Sequence, residues 1–137
     1  MSEHQYVQVL EQYFKGQIAN PKFIIDTGRN GVDGMRSDCA NWCNVRGAGV
    51  GRIPTASTDL PSIDAYFWLK TPGESDGCTS TLPSPPGGPC ARYDSFCGSE
   101  DSIGSRAGEP FAPVAGSWFD YNVQMLATNA NFNSTRR

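Results

Sequence analysis

Apolar and polar positions fall into four short patterned blocks, separated by two long stretches with no period. Over residues 5–15, Tyr6, Val9, Leu10, Tyr13 and Phe14 sit at i, i+3, i+4, i+7 and i+8. That spacing predicts an amphipathic helix laying one stripe on a sheet. Lys15-Gly16 supply its stop, and the helical segment is bounded at 1–20. Phe23-Ile24-Ile25-Asp26 is opened by Asn20-Pro21 and closed by Thr27-Gly28-Arg29-Asn30-Gly31. It predicts a buried parallel strand over 23–26 ending in a loop. Ile63 to Leu69 is almost continuously apolar, as in a strand buried on both faces, with Asp64 at its entry end. The final block predicts a helix over 117–128, with Ser117 as cap and Asp120 three residues on as a capping box. Trp118, Phe119, Tyr121, Val123, Met125 and Leu126 give it a broad apolar face, and it frays at Asn129-Ala130-Asn131.

The stretches between these blocks read as loops. Gly47-Ala48-Gly49-Val50-Gly51 superficially resembles a phosphate loop, but it lacks the following Lys-Ser/Thr and no helical pattern follows. A flexible or tightly turned wall is the expectation there. Leu82-Pro83-Ser84-Pro85-Pro86-Gly87-Gly88-Pro89 excludes a helix or a central strand. Cys78 and Cys90 bracket it, so a disulfide between them would close a small Pro/Gly loop. The order is helix, strand, long loop, strand, very long loop, helix, which is an α/β chain. Two strands do not make a stable independent parallel sheet, so the chain is expected to be part of a larger α/β domain.

Composition narrows the function classes. A net charge of −3 with 18% charged residues offers no basic patch for nucleic acid. The apolar runs are far too short to span a bilayer, so no membrane partner is expected. Aromatics at 11% on a Gly- and Pro-rich chain suit apolar-faced planar ligands such as sugars or bases, or else an ordinary core. Five cysteines (Cys39, Cys43, Cys78, Cys90 and Cys97) point to an oxidising compartment. Zinc competes poorly, because no Cys-x2-Cys pair occurs and His4 is the sole histidine. Met1-Ser2-Glu3-His4 does not start a signal peptide, so a leader is expected upstream if the cysteines are read correctly. Asn133-Ser134-Thr135 is a glycosylation acceptor pattern consistent with secretion.

The chemistry concentrates in the loop after the second strand, Lys70-Thr71-Pro72-Gly73-Glu74-Ser75-Asp76-Gly77. Glu74 and Asp76 are two residues apart and point to one side of an extended segment. Two close carboxylates repel, and Lys70 offsets that repulsion, which suits general-base work on a water. A solvated acidic turn is the plain alternative, and a calcium loop fails for want of alternating ligands. Inverting glycosidases hold two carboxyl groups roughly 6.5–9.5 Å apart across the scissile bond. Neighbours on one loop would lie on one side of a substrate, so a partner from another strand is more natural. Asp26 and Arg29 either contact a ligand or pair with each other to shape their loop. Trp42, inside a polar loop, either stacks on a sugar or packs the loop.

Four stretches together carry a family resemblance. They are Phe23 to Gly31; Asn41-Trp42-Cys43-Asn44-Val45-Arg46-Gly47-Ala48-Gly49; Trp68-Leu69-Lys70-Thr71-Pro72-Gly73-Glu74-Ser75-Asp76-Gly77; and Gly116-Ser117-Trp118-Phe119 through Leu126 to Asn131. In this order the chain resembles the C-terminal part of glycoside hydrolase family 6, the inverting cellobiohydrolases and endoglucanases. The resemblance implies the last part of a distorted parallel α/β barrel over 1–137 in a secreted, monomeric enzyme on cellulose or cello-oligosaccharide, with no cofactor. Asp76 matches the catalytic base, acting on water directly or through a second water. Lys70 and Glu74 match substrate contacts, and Trp42 matches an aromatic that contacts a glucosyl unit. Cys43 and Cys97 look like the family's C-terminal disulfide.

Departures qualify these expectations. The family's general acid lies N-terminal of anything present, with no candidate in residues 1–22, so this chain alone is expected to be inactive. Thr71 stands where Pro or Gly is common. Cys39 and the Cys78/Cys90 pair lie outside the family pattern. A local Cys78–Cys90 clasp and an unpaired Cys39 are inferred, but pairing among Cys39, Cys43, Cys78 and Cys90 stays open from sequence. The rival reading is a shortened, non-catalytic module that binds glucan or a partner through Trp42 and the central loop.

Overall fold

A computed structural model describes residues 2–80, 90 and 93–133. The Pro/Gly segment 82–89, the Ser134 and Thr135 of the acceptor pattern and the Arg136-Arg137 tail lie outside the described residues. The chain forms helix α1 (Glu3–Phe14), strand β1 (Phe23–Asp26), strand β2 (Ile63–Phe67), a 3-10 turn (Ser95–Gly98) and helix α2 (Asp120–Thr128). β1 and β2 pair in parallel in a two-stranded sheet. Phe23 lies opposite Ile63, and after one irregularity Ile24, Ile25 and Asp26 lie opposite Ala65, Tyr66 and Phe67.

α1 starts earlier than its apolar period, because Ser2 and Gln5 close a capping box at its N-terminus. It stops at Phe14, short of the 1–20 segment, where Lys15 leaves helical geometry and Gly16 takes φ +82°. The predicted stripe is turned outward: Tyr6 is 55% exposed and Tyr13 68%. Val7 is the buried residue instead, packed with Ile25, Ile63 and Tyr66. Polar contacts set this rotation. His4 Nε2 lies 2.8 Å from Tyr66 Oη, and Asn30 Nδ2 donates to Glu3 Oε1 at 3.3 Å. Tyr66 Oη also donates to Asp59 Oδ2 at 2.8 Å, and Arg52 lies over its ring.

The second strand is shorter than the predicted 63–69 span and is buried on one face only. β1 ends at Asp26, so beyond Phe67 no strand is left to pair with. The amides of Leu69 and Lys70 turn to the Asp26 carboxylate instead, at 3.2 and 3.1 Å, and Trp68 Nε1 donates to Arg52 O. Ile25, Ile63 and Tyr66 face the α1 side, while Ile24, Phe67 and Leu69 stay exposed on the other.

α2 begins at Asp120, and Ser117 does not cap it. Residues 117–119 are taken by the central loop: Ser75 N–H donates to Ser117 O at 2.8 Å, Phe119 N–H donates to Gly73 O at 2.8 Å, and Glu74 bridges Trp118. Tertiary pairing therefore outweighs a local cap worth about 1 kcal/mol. The C-terminal end is docked rather than frayed. Asn129 Nδ2 donates to the carbonyls of Gly47 and Ala48, and Asn131 N–H donates to Val50 O at 2.7 Å. Leu126 is fully buried against Ala48 and Val50. The glycine-rich segment is thus a tightly packed wall: a Cβ on Gly49 would overlap Asn129 O, and one on Gly51 would overlap the Asn30 side chain. A third cluster of Ile103, Ala112 and Phe119 meets the second through Met125.

Candidate active site

Asp26 sets the geometry of the site. Its carboxylate accepts from the amides of Gly28 (2.9 Å), Leu69 and Lys70, which locks the exit of β1 to the exit of β2. The close approach requires glycine at position 28, since a Cβ there would meet Lys70 O at 2.5 Å. Arg29 and Lys70 are thereby delivered to the same side. Of the two readings of these residues, the Asp26–Arg29 pair does not form, because the Asp26 oxygens are occupied by these amides. Arg29 instead ion-pairs with Asp76, its Nη1 donating to Oδ2.

Asp76 is the innermost carboxylate of the loop, its side chain 5% exposed. Oδ2 also accepts the Asn44 backbone N–H at 2.8 Å, and the Asp76 N–H donates to Asn44 Oδ1 at 2.8 Å. Oδ1 faces Lys70 Nζ at 3.6 Å. Lys70 Nζ also lies 3.5 Å from Glu74 Oε2, so one ammonium serves both carboxylates, the inner Asp76 and the more open Glu74. One oxygen of Asp76 is anchored by two donors, and the other carries only an ion-pair contact. Such a carboxylate is held in one orientation with an oxygen left to accept a proton.

The loop itself is pinned from below. Ser75 is buried, and its Oγ donates to Pro113 O at 2.8 Å while its carbonyl accepts the Gly116 N–H. Gly73 takes φ +97°, and a Cβ there would run into the Trp118 ring at 2.8 Å. The Pro-Gly turn and the Trp118 ring therefore fit only in this arrangement.

Trp42 is 42% exposed and joins none of the three apolar clusters. Its loop is nevertheless fixed on both sides. Asn41 Nδ2 donates to Asp101 Oδ2 at 2.7 Å, and Cys43 is disulfide-bonded to Cys97. The Asn41 and Ser37 hydrogen bonds hold the Asp101 carboxyl below its ordinary range. Cys78 pairs with Cys90, and Cys39 is free and exposed. Among the described residues, no group of three or more His, Cys, Asp or Glu could hold a metal ion, and no helix is long and apolar enough to cross a membrane.

Beneath the Trp42 loop, Arg46 grips Glu109 through two nitrogens, Nε to Oε1 at 2.6 Å and Nη2 to Oε2 at 2.7 Å. Gly104 N–H adds a third bond to Glu109. The Arg46 hydrogen bond, against the opposing effect of burial, lowers the Glu109 carboxyl to about 2. Arg46 Nη2 also donates to Ser102 O, so a single side chain ties the segment after Asn44 to the 100–109 loop.

Sequence reasoning gave roles to Asp76, Lys70, Glu74 and Trp42, and the structure brings the first three together around one ammonium. It left Arg29 between a ligand and Asp26, and quoted Asn44 without a role. Both residues stood in the motifs, but their partners lie 47 and 32 positions away. A cleft of about 570 Å³ also opens beside Arg29, lined by Asn30, Asp33, Met35, Asn122 and Leu126 among others. It reaches none of Asp76, Lys70, Glu74 or Trp42, so the polar cluster and not this cleft marks the candidate chemistry.

Comparison with known proteins gives consistent matches. The model of the family "Glycosyl hydrolases family 6" matches residues 1–130. The 1,4-beta-D-glucan cellobiohydrolase CEL6C of Podospora anserina is 42% identical over 130 residues, covering 95% of this chain and 29% of the relative. Among solved structures, the catalytic core of the cellobiohydrolase Cel6A from Chaetomium thermophilum superposes with a TM-score of 0.81 at 39% identity, over 95% of this chain and 33% of that one. Cellobiohydrolase II (Cel6A) of Humicola insolens, in complex with glucose and cellotetraose, gives 0.80 at 35% identity, over 95% and 33%. The chain thus spans about a third or less of the length of these relatives.

Proposed function

The chain belongs to glycosyl hydrolases family 6, and on that premise we propose that it is the C-terminal part of a secreted, monomeric β-1,4-glucanase catalytic domain. The whole domain, a distorted parallel α/β barrel, would hydrolyse cellulose or cello-oligosaccharides with inversion. Asp76 is the base. Its Oδ1 takes a proton from water, directly or through a second water, as the oxygen of the attacking water bonds to the anomeric carbon. The glycosidic bond breaks on the opposite face of the sugar, and its oxygen is protonated by a general acid. That acid comes from the portion of a family domain that this chain does not span, so these residues alone leave cellulose intact. Lys70 and Glu74 contact the sugar beside the attacked bond, and Trp42 offers an aromatic platform to a neighbouring unit.

The observation that carries this reading is the asymmetric anchoring of Asp76, with Oδ2 bound by Arg29 and Asn44 and Oδ1 left for a proton. The test joins this chain to the N-terminal portion of a relative's catalytic domain and follows cellohexaose hydrolysis by proton NMR. Inversion yields the α-anomer first. Asp76→Asn lowers turnover by about 10²–10⁴-fold, the usual worth of a positioned base, and leaves oligosaccharide binding in place. Unchanged turnover removes Asp76 from the mechanism.

The exposure of Trp42 favours a second reading, a non-catalytic glucan-binding module. Titrating cellotetraose into the chain alone separates the two. Saturable binding that Trp42→Ala abolishes supports the module, and its absence leaves the enzyme reading.

A further inference from the structure

We propose that Asn44 is the positioning residue of Asp76, holding the carboxylate in its one-oxygen-free orientation through a reciprocal pair of hydrogen bonds. This rests on the reading of Asp76 as the base, and it extends that reading to a residue that touches no substrate. Asn44 is buried and takes φ +40°, in the left-handed region that few side chains tolerate. In that conformation its own N–H points at Asp76 Oδ2 while its side-chain Oδ1 accepts the Asp76 N–H, both at 2.8 Å. The remaining donor, Nδ2, reaches Gly77 O at 2.8 Å and Ser75 Oγ at 3.4 Å. One residue therefore grips the Ser75 hydroxyl, the backbone at Asp76 and Gly77, and the Asp76 carboxylate.

No other side chain repeats this arrangement. Aspartate keeps the acceptor but loses the Nδ2 donor. Glycine keeps the backbone conformation and loses all side-chain contacts. Alanine is strained at this φ. Asn44 itself is fixed from outside the central loop: its carbonyl accepts the Ile103 N–H at 3.0 Å, and the preceding Cys43 is tied to Cys97. The disulfide thus reaches Asp76 through Asn44, without touching the carboxylate.

The test uses this chain with both disulfides formed, labelled with ¹⁵N and with ¹³C in its aspartate carboxyls. Asp76→Asn assigns the Asp76 signal. In the parent chain the residue-44 amide shift titrates with the same midpoint as the Asp76 carboxyl, and the Asp76 amide exchanges slowly, at least about tenfold below its free rate. In Asn44→Gly, the Asp76 amide loses protection and the residue-44 amide no longer follows the carboxyl. Asn44→Asp restores the Asp76 amide protection at pH 7 in part. A glycine variant that keeps both signatures overturns the proposal, since the backbone alone would then hold Asp76. If the variants do not fold, a fast-exchanging Asp76 amide in the parent chain overturns it equally. In the joined domain, Asn44→Gly lowers kcat more than it raises KM. If the NMR coupling is present while Asp76→Asn keeps full turnover, the base assignment falls and the positioning stands.

Discussion

Arg29 and Asp76 are separated by 47 positions in the chain, yet the guanidinium of one and the carboxylate of the other are ion-paired at the centre of the site. The pair exists because Asp26 is occupied elsewhere, with three backbone amides from two loops. Removing Arg29 leaves a nearly buried carboxylate with Lys70 and the Asn44 amide. Arg29→Leu is expected to destabilise the chain by about 1–3 kcal/mol, below the full cost of breaking a buried pair because the Arg29 side chain is itself partly exposed. Urea unfolding measures this, and a change under about 0.5 kcal/mol would mean the pair is energetically idle.

Acid stability should track Glu109. Its carboxyl is held at about 2 in the folded chain, against an ordinary 4.5. A depressed carboxyl stabilises the fold above its unfolded value, and that contribution is lost as pH falls through 4.5 towards 2. Thermal unfolding between about pH 6 and pH 2 should therefore show Tm falling over that window, because the unfolded chain takes up a proton at Glu109 that the clamped carboxylate refuses. Glu109→Gln should unfold at lower temperature near neutrality and show a flatter acid limb. Parallel curves for the two chains would exclude Glu109 as the group responsible.

Reduction of Cys43–Cys97 opens a loop with a sequence separation of 54. Chain-entropy arguments put such a cross-link at about 4 kcal/mol, with engineered cases spread from about 0 to 5. The double variant Cys43→Ser with Cys97→Ser should lose about 2–5 kcal/mol. Opening the shorter Cys78–Cys90 loop, separation 12, should cost less. Equal losses would show that strain or packing, and not loop length, governs both bridges.

Trp42→Ala separates recognition from folding. The side chain is largely outside the core, so stability should change by less than about 0.5 kcal/mol. If Trp42 stacks on a sugar ring, affinity for cellotetraose should fall by about 1–3 kcal/mol, by loose analogy with aromatic stacking on bases. The reverse outcome, lost stability with intact affinity, returns Trp42 to loop packing.

The local pattern was legible where local physics decides. The bounds of the 23–26 strand match β1 because its apolar run follows Pro21 and precedes Gly28, but only Ile25 of the expected buried run is buried. The ends of β2 and α2 were not legible, because distant groups decide them. Trp68 and Leu69 leave the strand pattern for Arg52 O and the Asp26 carboxylate, and Ser117 gives up a cap to pair with Ser75. The stripe of α1 was misjudged by one helical step. Tyr6 and Tyr13 have the right period, but the contacts of His4 and Glu3 rotate Val7 inward. In the site, the short-range group Lys70, Glu74 and Asp76 could be assembled from adjacency. The roles of Arg29 and Asn44 depend on how three loops meet, which no periodicity encodes.

The open side of the sheet sets how this chain behaves as a solute. Ile24 and Phe67 on the sheet and Leu69 just beyond it, with Tyr6, Val9 and Tyr13 on α1, present two oily surfaces to water. Surfaces of this kind draw proteins together as salt and concentration rise, and they light up environment-sensitive dyes. Lysines at positions 13 and 24, introduced as Tyr13→Lys and Ile24→Lys, should therefore raise solubility and quench dye binding. Both lie away from the Asp76 cluster, so such a chain would serve for the measurements above.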